Sequence, residues 1–454
     1  MTNAFQQLHA FLHREVSIAP LVVFRMLFGL LLLYSTIRTW QKGWIAENYI
    51  YPDYHFSFIS WLEPLGSFGM YLVFFLLCVF AIGICLGLFY RFSAIGFLLL
   101  FTYVELLDKT FYLNHYYLVT LLTFWLVFVP ANRWFSVDAV WFPKLRLDRC
   151  SNWHILIFKV QLSIVYFFAG LAKVNPDWIY RAQPLATWLP GRYELPLIGK
   201  YLHLKEVAYF FSWAGCAYDL TIWIFLWIKK TRGLAYVGVL FFHILTGILF
   251  PRIGMFPFIM ITSTVIFFSS EWHERVLGYL TKVIKWDGNK PPNPSPNTSI
   301  PRNHSKSKLV TIFLASYVLV QLYLPFRHLQ YPGNLFWNER GYRFSWRVML
   351  MEKNGYTTFI LRDPVKEIQK EVDVDEYLTP FQQQQMRSQP DMIVQFAKHI
   401  GDEFLEDKGY APQVFVESRI SLNARRSQPF TNDTLDVYTL TNPINSNWII
   451  PLKK

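Results

Sequence analysis

The sequence has little charge for its length. Only 16% of its 454 residues are Asp, Glu, Lys or Arg, whereas 53% are hydrophobic and 19% are aromatic. Soluble domains usually carry about 25% charged residues, so this composition excludes an ordinary soluble protein. Basic residues outnumber acidic ones by 43 to 31. They lie in short segments between apolar runs, which is typical of loops that orient membrane helices and argues against a nucleic-acid-binding protein.

Cysteine is also scarce. The four cysteines are Cys78, Cys85, Cys150 and Cys216, and all lie within or beside apolar runs. No CxxC pair or Cys/His zinc spacing is present, so the sequence predicts neither a disulfide framework nor a metal site. The N-terminal segment lacks a small-residue cleavage site after an apolar core, which favours a retained helix over a signal peptide.

Long apolar runs dominate the first 324 residues. A membrane-spanning helix needs about 20 mostly apolar residues. On this criterion the sequence predicts about nine spans and hence a polytopic α-helical membrane protein. The third, fourth, seventh and eighth are short and are also compatible with re-entrant segments. The predicted spans are 18–36, 68–88, 92–107, 115–129, 153–172, 206–228, 234–250, 253–268 and 309–324.

The positions of lysine and arginine predict the orientation. Positive loops tend to stay cytoplasmic, and groups such as Lys229, Lys230 and Arg232 fall on the side of the N-terminus. The bias predicts a cytoplasmic N-terminus and, with nine spans, an extracytoplasmic C-terminus.

The composition changes to that of a soluble domain after residue 324. We therefore divide the chain into a transmembrane domain, 1–324, and an extracytoplasmic mixed α/β domain, 325–454. Residues 287–308 are rich in Pro, Asn, Ser and Lys and predict a flexible cytoplasmic loop. In the second domain, the patterns predict strands over 342–350, 356–362 and 413–423 and helices over 376–387 and 390–404.

Several ionisable residues lie inside the predicted spans, where each costs about 2.5 to 3.5 kcal/mol at mid-helix. These residues are Arg25, Glu105, Lys159, Asp219 and His243. Because buried charges are normally paired, the simplest interpretation is that Arg25 or Lys159 pairs with Asp219 and locks the helices together. A role in proton handling is the alternative.

Three proton-exchanging side chains are predicted on the outer face: His115, Lys173 and His243. Lys173 closes the apolar helix of YFFAGLAKVNPDW, 166–178, in which Gly170 permits close helix approach and Pro176 ends the span. Desolvation disfavours an ammonium ion, so a lysine beside an apolar cavity can provide a neutral amine as a general base. Alternatively, the lysine is an interfacial anchor and the histidines are structural.

Taken together, these stretches resemble the vitamin K-dependent gamma-glutamyl carboxylase family over about residues 22 to 438. The similar segments are FRMLFG (24–29), KTFYLNHYYL (109–118), FFAGLAKVNPDW (167–178), AYDL (217–220), FFHILTGILFPRIGMF (241–256) and LPFRHLQYPGNLFWNERGYRFSWRVML (324–350). The sequence departs from the family at Ala172, where a second lysine is usual, and at Thr246, where an amide is usual. An extra residue precedes Gly254, and no cysteine after Cys216 can form the family's interdomain disulfide.

The resemblance implies a reaction and roles for individual residues. Lys173 would deprotonate reduced vitamin K, a hydroquinone or menaquinol from the lipid, and oxygen would convert the anion into an alkoxide that removes a glutamate γ-proton. Carbon dioxide would then capture the carbanion. Asn114 and His115 would position the oxygen intermediate or carbon dioxide, and His243 would complete the catalytic group. The residues expected to bind the glutamate-containing protein are Trp337, Tyr342, Ser345 and Trp346.

Two other functions stay open at this point. A quinol epoxidase, or an enzyme that modifies another substrate, would use the same fold; Thr246 and the extra residue motivate this alternative. A non-enzymatic protein for binding, transport or immunity is the third hypothesis. The compact outer domain and the absent disulfide favour a bacterial inner membrane.

Overall fold

The computed structural model describes residues 2–284, 304–441 and 447–453. The first part of the chain is helical, apart from a two-stranded antiparallel ribbon of β1 (Glu15–Ser17) and β2 (Arg149–Ser151). Its helices are α1 (Thr2–His13), α2 (Ala19–Gln41), α3 (Trp44–Tyr49), α4 (Gly66–Leu86), α5 (Tyr90–Leu107), α6 (Asn114–Phe128), α7 (Val137–Trp141), α8 (Trp153–Lys173), α9 (Pro176–Arg181), α10 (Leu185–Trp188), α11 (Lys205–Trp227), α12 (Arg232–Leu249), α13 (Phe256–Thr264), α14 (Ser270–Ile284) and α15 (His304–Tyr323).

The predicted class, a polytopic helical membrane protein, is confirmed. Each of the nine predicted spans coincides with a helix, but within the described residues seven helices are long and apolar enough to cross a membrane. The expectation of nine full-length spans is therefore corrected. The two predicted spans whose helices are too short correspond to α6, with 15 residues, and α13, with 9 residues. At about 1.5 Å per residue, α6 is only about 22 Å long, against a hydrocarbon core of about 30 Å.

Helices α8 and α11 approach each other closely at Gly170. A Cβ atom added there would lie only 2.7 Å from the backbone nitrogen of Leu220. Only a glycine allows this approach, as the sequence predicted. The contact brings Asp219, the residue before Leu220, against α8.

The predicted lock between Arg25 or Lys159 and Asp219 is wrong. Arg25 donates to the carbonyl oxygens of Ile84 and Phe135, at 3.2 and 2.6 Å. Lys159 lies over the rings of Trp227 and Phe267, 5.9 and 5.8 Å from their centroids.

Asp219 instead forms an ion pair with Lys173, whose Nζ lies 2.6 Å from its Oδ2. Lys159 precedes Lys173 by four turns of α8, about 21 Å, so it lies near the other end of the helix.

The C-terminal part is a mixed α/β domain with its own hydrophobic core. Its antiparallel sheet has the order β4-β3-β5-β6, and α18 packs against β5. The elements are α16 (Leu335–Asn338), β3 (Lys353–Asp363), β4 (Ile368–Glu371), α17 (Pro380–Met386), α18 (Pro390–Lys408), β5 (Gln413–Leu422) and β6 (Gln428–Pro429).

Most elements predicted for this domain are present. The strands over 356–362 and 413–423 correspond to β3 and β5, and the two helices to α17 and α18. The strand predicted over 342–350 is wrong, because this segment is irregular. Phe344, Trp346 and Met349 have φ values of 59°, 61° and 57°, which are incompatible with an extended strand.

The predicted cytoplasmic loop, 287–308, lies outside the described residues except for its end, where α15 begins. A short 3₁₀ helix, Leu324–Gln330, follows α15 and leads into the C-terminal domain. The domain boundary at 324/325 stays a prediction.

Candidate functional site

The site is organised around the end of α8. Lys173 is its last residue, and Asn175 caps the next short helix by accepting a 3.0 Å hydrogen bond from the Trp178 amide. The Lys173 side chain is buried, with its Nζ bonded to Asp219 and, at 3.2 Å, to the carbonyl of Ala169. The Lys173 Nζ also lies 5.4 Å from the centroid of the Trp178 ring. Lys173 is thus a buried, paired cation and not an anchor that extends into the interface.

His243 belongs to the same cluster. Its Nε2 lies 3.1 Å from the hydroxyl of Tyr166, which is two helical turns before Lys173 and therefore on the same face of α8. On α11, Tyr218 directly precedes Asp219. The Tyr218 ring stacks on the ring of Phe242, with 3.9 Å between the ring centroids. His243 therefore contacts both helices that carry the ion pair, through Tyr166 on α8 and Tyr218 on α11.

His115 joins this cluster through an aromatic ring. The ring of Phe256 lies 6.1 Å from that of His115 and 5.3 Å from that of His243. Both histidines are buried. Within the described part of the chain, His115 Nε2 and His243 Nδ1 have no hydrogen-bond partner. A buried polar atom without a partner is costly, so these two nitrogens are candidates for ligand contacts.

Asn114 fastens the C-terminal domain to α6. Its Nδ2 donates to the carbonyl oxygen of Arg347 at 2.7 Å, and its Oδ1 accepts from the Tyr112 hydroxyl at 3.1 Å. The Tyr112 oxygen in turn accepts a 2.7 Å hydrogen bond from the Phe344 amide. The amide of Asn114 is therefore occupied by protein groups, and its expected role toward oxygen or carbon dioxide stays a prediction.

A cavity of about 430 Å³ lies between the end of α8 and the C-terminal domain. We call it the interdomain cavity. Its apolar lining residues include Phe168, Leu171, Phe326, Leu329 and Phe336. Its polar lining residues are Asn175, Asp177, His328, Asn334, Ser345, Arg347 and Arg425. Ala172 and Val174 line the cavity, whereas the Lys173 amine points away to Asp219.

Asp177 and Arg425 form an interdomain clamp. The Arg425 guanidinium donates to both carboxylate oxygens of Asp177, at 2.7 and 2.6 Å, and Asn423 adds a bond of 2.9 Å. Burial alone would raise the pKa of Asp177, but the hydrogen bonds from Arg425 and Asn423 outweigh it and lower the pKa below its ordinary value. Sequence analysis missed this clamp because its partners are 248 residues apart.

The four predicted substrate-binding residues occupy different positions. Ser345 lines the interdomain cavity, and its hydroxyl donates to the carbonyl oxygen of Tyr342. Trp337 is buried in the domain core, where its Nε1 donates to the Ile450 carbonyl at 2.8 Å. Trp346 stacks on Tyr117 at 5.1 Å. Neither tryptophan lines the cavity, so their predicted contact with substrate stays a prediction. Sequence analysis did not select Arg347, although it directly follows Trp346 in the matched segment.

No cluster of His, Cys, Asp or Glu that could hold a metal ion occurs among the residues that the structure describes. All four cysteines are free thiols. The connection between the two parts of the molecule is therefore noncovalent apart from the chain itself.

The fold and the site define a polytopic membrane protein in which an extramembrane α/β domain packs over a buried lysine–aspartate pair. Residues 13–272 match the family model of the HTTM domain, and residues 306–454 match that of the lumenal domain of vitamin K-dependent gamma-carboxylase. The first match alone covers more than half of the chain. The chain belongs to the vitamin K-dependent gamma-carboxylase family, and its function is of that carboxylase type. No solved structure matches it.

Dependence on vitamin K follows from the family. The residues around His115 and His243 fit a hydroquinone, which has an aromatic ring and two oxygen atoms. Two buried imidazole nitrogens without partners could bond to such oxygens, and the rings of Phe256 and Tyr166 provide apolar surface.

Proposed function

We propose that the protein carboxylates glutamate side chains of a protein substrate and couples this reaction to oxidation of reduced vitamin K to its epoxide. The observation that carries the proposal is the buried Lys173–Asp219 pair at the end of α8. It lies between the histidine cluster and the interdomain cavity, in a setting from which bulk water is largely excluded. Exclusion of water is a requirement for chemistry that involves strong bases and carbanions.

The pair, rather than Lys173 alone, would be the proton acceptor. An ammonium beside a carboxylate holds the same number of protons as an amine beside a carboxylic acid, so the pair can exchange these forms internally. Uptake of one more proton leaves an ammonium beside a carboxylic acid. The resulting positive charge would stabilise an anionic ligand nearby, because electrostatic interactions are strong in an apolar setting.

His115, His243 and Phe256 would hold the reduced vitamin K. When bound, the hydroquinone would supply the reducing equivalents and, with oxygen, the basicity needed to remove a glutamate γ-proton for carbon dioxide addition. Tyr166 would orient His243 through their hydrogen bond. Asn114 would act indirectly, by fixing the segment around Arg347 against the top of α6.

The direct test is an assay of the purified protein in lipid nanodiscs with reduced vitamin K, labelled bicarbonate and a glutamate-containing peptide. We expect label in the peptide and formation of epoxide. Lys173→Ala should abolish both products, whereas Lys159→Ala, on the same helix, should retain them. Formation of neither product by the wild-type protein would overturn the proposal.

A second candidate is oxidation of the quinol without carboxylation. Two observations favour it: the Lys173 amine faces Asp219 instead of the cavity, and the Thr246 hydroxyl donates to its own helix, at the Phe242 carbonyl, at 2.7 Å. In the same assay, epoxide without labelled peptide would support this candidate.

A further inference from the structure

Arg347 is a buried cation without a carboxylate partner. Its residue exposure is 8%, and it lines the interdomain cavity. Its Nη1 donates to the Pro325 carbonyl at 3.2 Å, and its Nη2 lies 3.1 Å from His328 Nδ1. Among the residues that the structure describes, no Asp or Glu pairs with it.

Asp177 and Arg425, which also line the cavity, balance each other's charge. Asp177 is bonded to Arg425 through both carboxylate oxygens, so this pair contributes little net charge. Burial lowers the pKa of Arg347 to about 10, which still leaves the guanidinium protonated at neutral pH. The cavity therefore carries one uncompensated positive charge, and buried charges are normally paired with an opposite charge.

The backbone around Arg347 is held in an unusual conformation. Phe344, Trp346 and Met349 all have left-handed φ values, which are unfavourable for residues other than glycine. Asn114 and Tyr112 bond to this segment from the membrane part. Such strain persists only where the surrounding structure enforces it, and it is concentrated at functional sites. Here the strained segment places Arg347 at the interdomain cavity.

We infer that the interdomain cavity binds a carboxylate side chain of an acidic peptide, with Arg347 as its charge partner and the apolar lining residues in contact with its methylene groups. A guanidinium matches a carboxylate in shape and can bond to both of its oxygens. This inference rests on the proposed function, because it assigns the binding site of the glutamate substrate. Arg347 is accordingly a substrate-binding and specificity-determining residue.

Binding without turnover tests the inference. A fluorescent peptide containing glutamate is titrated onto the full-length protein in nanodiscs, alongside the same peptide with glutamine. We expect Kd to be about 10- to 100-fold higher for the glutamine peptide, the range for loss of a charge-assisted hydrogen bond. Arg347→Gln should bind both peptides equally weakly, whereas Arg347→Lys should retain part of the discrimination. Arg419→Gln removes the same charge from an exposed position of β5 and should behave as wild type.

A second variant covers the case in which Arg347→Gln fails to fold. Ala172→Leu narrows the cavity from the α8 side without changing its charge, and we expect it to weaken binding of both peptides. Equal affinity of the wild-type protein for the two peptides would overturn the inference. Full discrimination by a folded Arg347→Gln, or unchanged affinity in Ala172→Leu, would overturn it as well.

The outcomes for the inference and for the proposed function are separable. Selective binding of the glutamate peptide without any carboxylation would leave the inference standing and remove the proposed function. Carboxylation with an unchanged KM in Arg347→Gln would remove the inference and leave the proposed function standing. Displacement of the peptide by a neutral naphthoquinone, with equal potency in wild type and Arg347→Gln, would assign the cavity to the quinone and overturn the inference.

Discussion

Two ion pairs lie four residues apart where α8 ends, and they differ in geometry, in the elements that they join and in the exposure of the cation, which is 8% for the Lys173 side chain and 26% for that of Arg425. Lys173–Asp219 joins two membrane helices through a single 2.6 Å contact. Asp177–Arg425 joins the membrane part to the outer domain through two parallel hydrogen bonds. A lysine amine can lose its proton, whereas a guanidinium does not. The difference indicates that the inner pair is suited to proton exchange and the outer pair to fixing a geometry.

The largest expected effect comes from breaking the inner pair. Asp219→Asn would leave a buried ammonium without its carboxylate, and we expect about 3 to 5 kcal/mol of destabilisation. Carboxylation should fall by more than about 100-fold, the lower limit for loss of acid–base catalysis. Thermal unfolding in detergent and the labelled-bicarbonate assay measure the two effects.

The double variant Lys173→Met/Asp219→Leu is the control for this prediction. It removes both charges, so stability should return to within about 1 kcal/mol of wild type while activity stays absent. A double variant as unstable as Asp219→Asn would show that the pair has a mainly structural role.

Breaking the outer pair should have a smaller effect. Asp177→Asn removes the charge that Arg425 neutralises, and we expect a loss of about 2 kcal/mol from the interdomain contact. Hydrogen exchange should become about 30-fold faster at the C-terminal end of strand β5, next to Asn423 and Arg425. Asp407 forms an exposed ion pair with Lys408, so Asp407→Asn is the matched control. It should leave hydrogen exchange at the end of β5 unchanged. Unchanged exchange in Asp177→Asn would contradict the clamp.

The outer pair also predicts a pH dependence. The pKa of Asp177 is lowered below 3.8, so its contribution to stability is fully present above pH 3.8 and is lost as the pH falls through the lowered value. Asp177→Asn should therefore lose less stability than wild type on acidification below pH 3.8. Asp391 keeps its own lowered pKa in both proteins, so the difference between their unfolding curves isolates Asp177. Parallel curves for the two proteins would be evidence against the prediction.

The smallest effect is expected at a half-buried cation that belongs to neither pair. Lys159 interacts with the rings of Trp227 and Phe267, and such contacts are worth about 0.5 to 2 kcal/mol. Lys159→Met keeps most of the apolar contact area, so activity should stay within about twofold of wild type and stability within about 1 kcal/mol. A large loss of activity would show that proton handling extends beyond Lys173 and Asp219.

Apolar runs and a glycine carry most of the information about the membrane part. Residue hydropathy predicted the seven helices that, in the described part of the chain, are long and apolar enough to cross a membrane, but it missed the amphipathic α14. Gly170 correctly predicted close packing, because this signal also depends on local sequence. The partner of Asp219 could not be predicted in this way. Arg25, Lys159 and Lys173 were all chemically suitable, and only the packing of α8 against α11 selects Lys173.

The outer domain shows a different limit. Aromatic and polar residues alternate around Phe344 and Trp346 as they would in a strand, but the backbone there is left-handed. Left-handed conformations at residues other than glycine come from tertiary contacts, in this case with Asn114 and Tyr112, and have no local signal. The role that we propose for Arg347 has no local signal for the same reason, since an arginine in such a segment looks like an ordinary surface residue until its cavity is known.

The interdomain clamp has a consequence for biosynthesis. Asp177 cannot bond to Arg425 until this arginine has been synthesised, 248 residues later. Until then the segment after α8 is not fixed to the outer domain by the clamp. At about 5 to 20 residues per second, this interval is roughly 12 to 50 s. During that time the membrane helices can insert and assemble, but the interdomain cavity is incomplete. A nascent chain therefore completes the interdomain cavity only after residue 425 has been synthesised, and products truncated before that residue would occupy the membrane without the complete cavity.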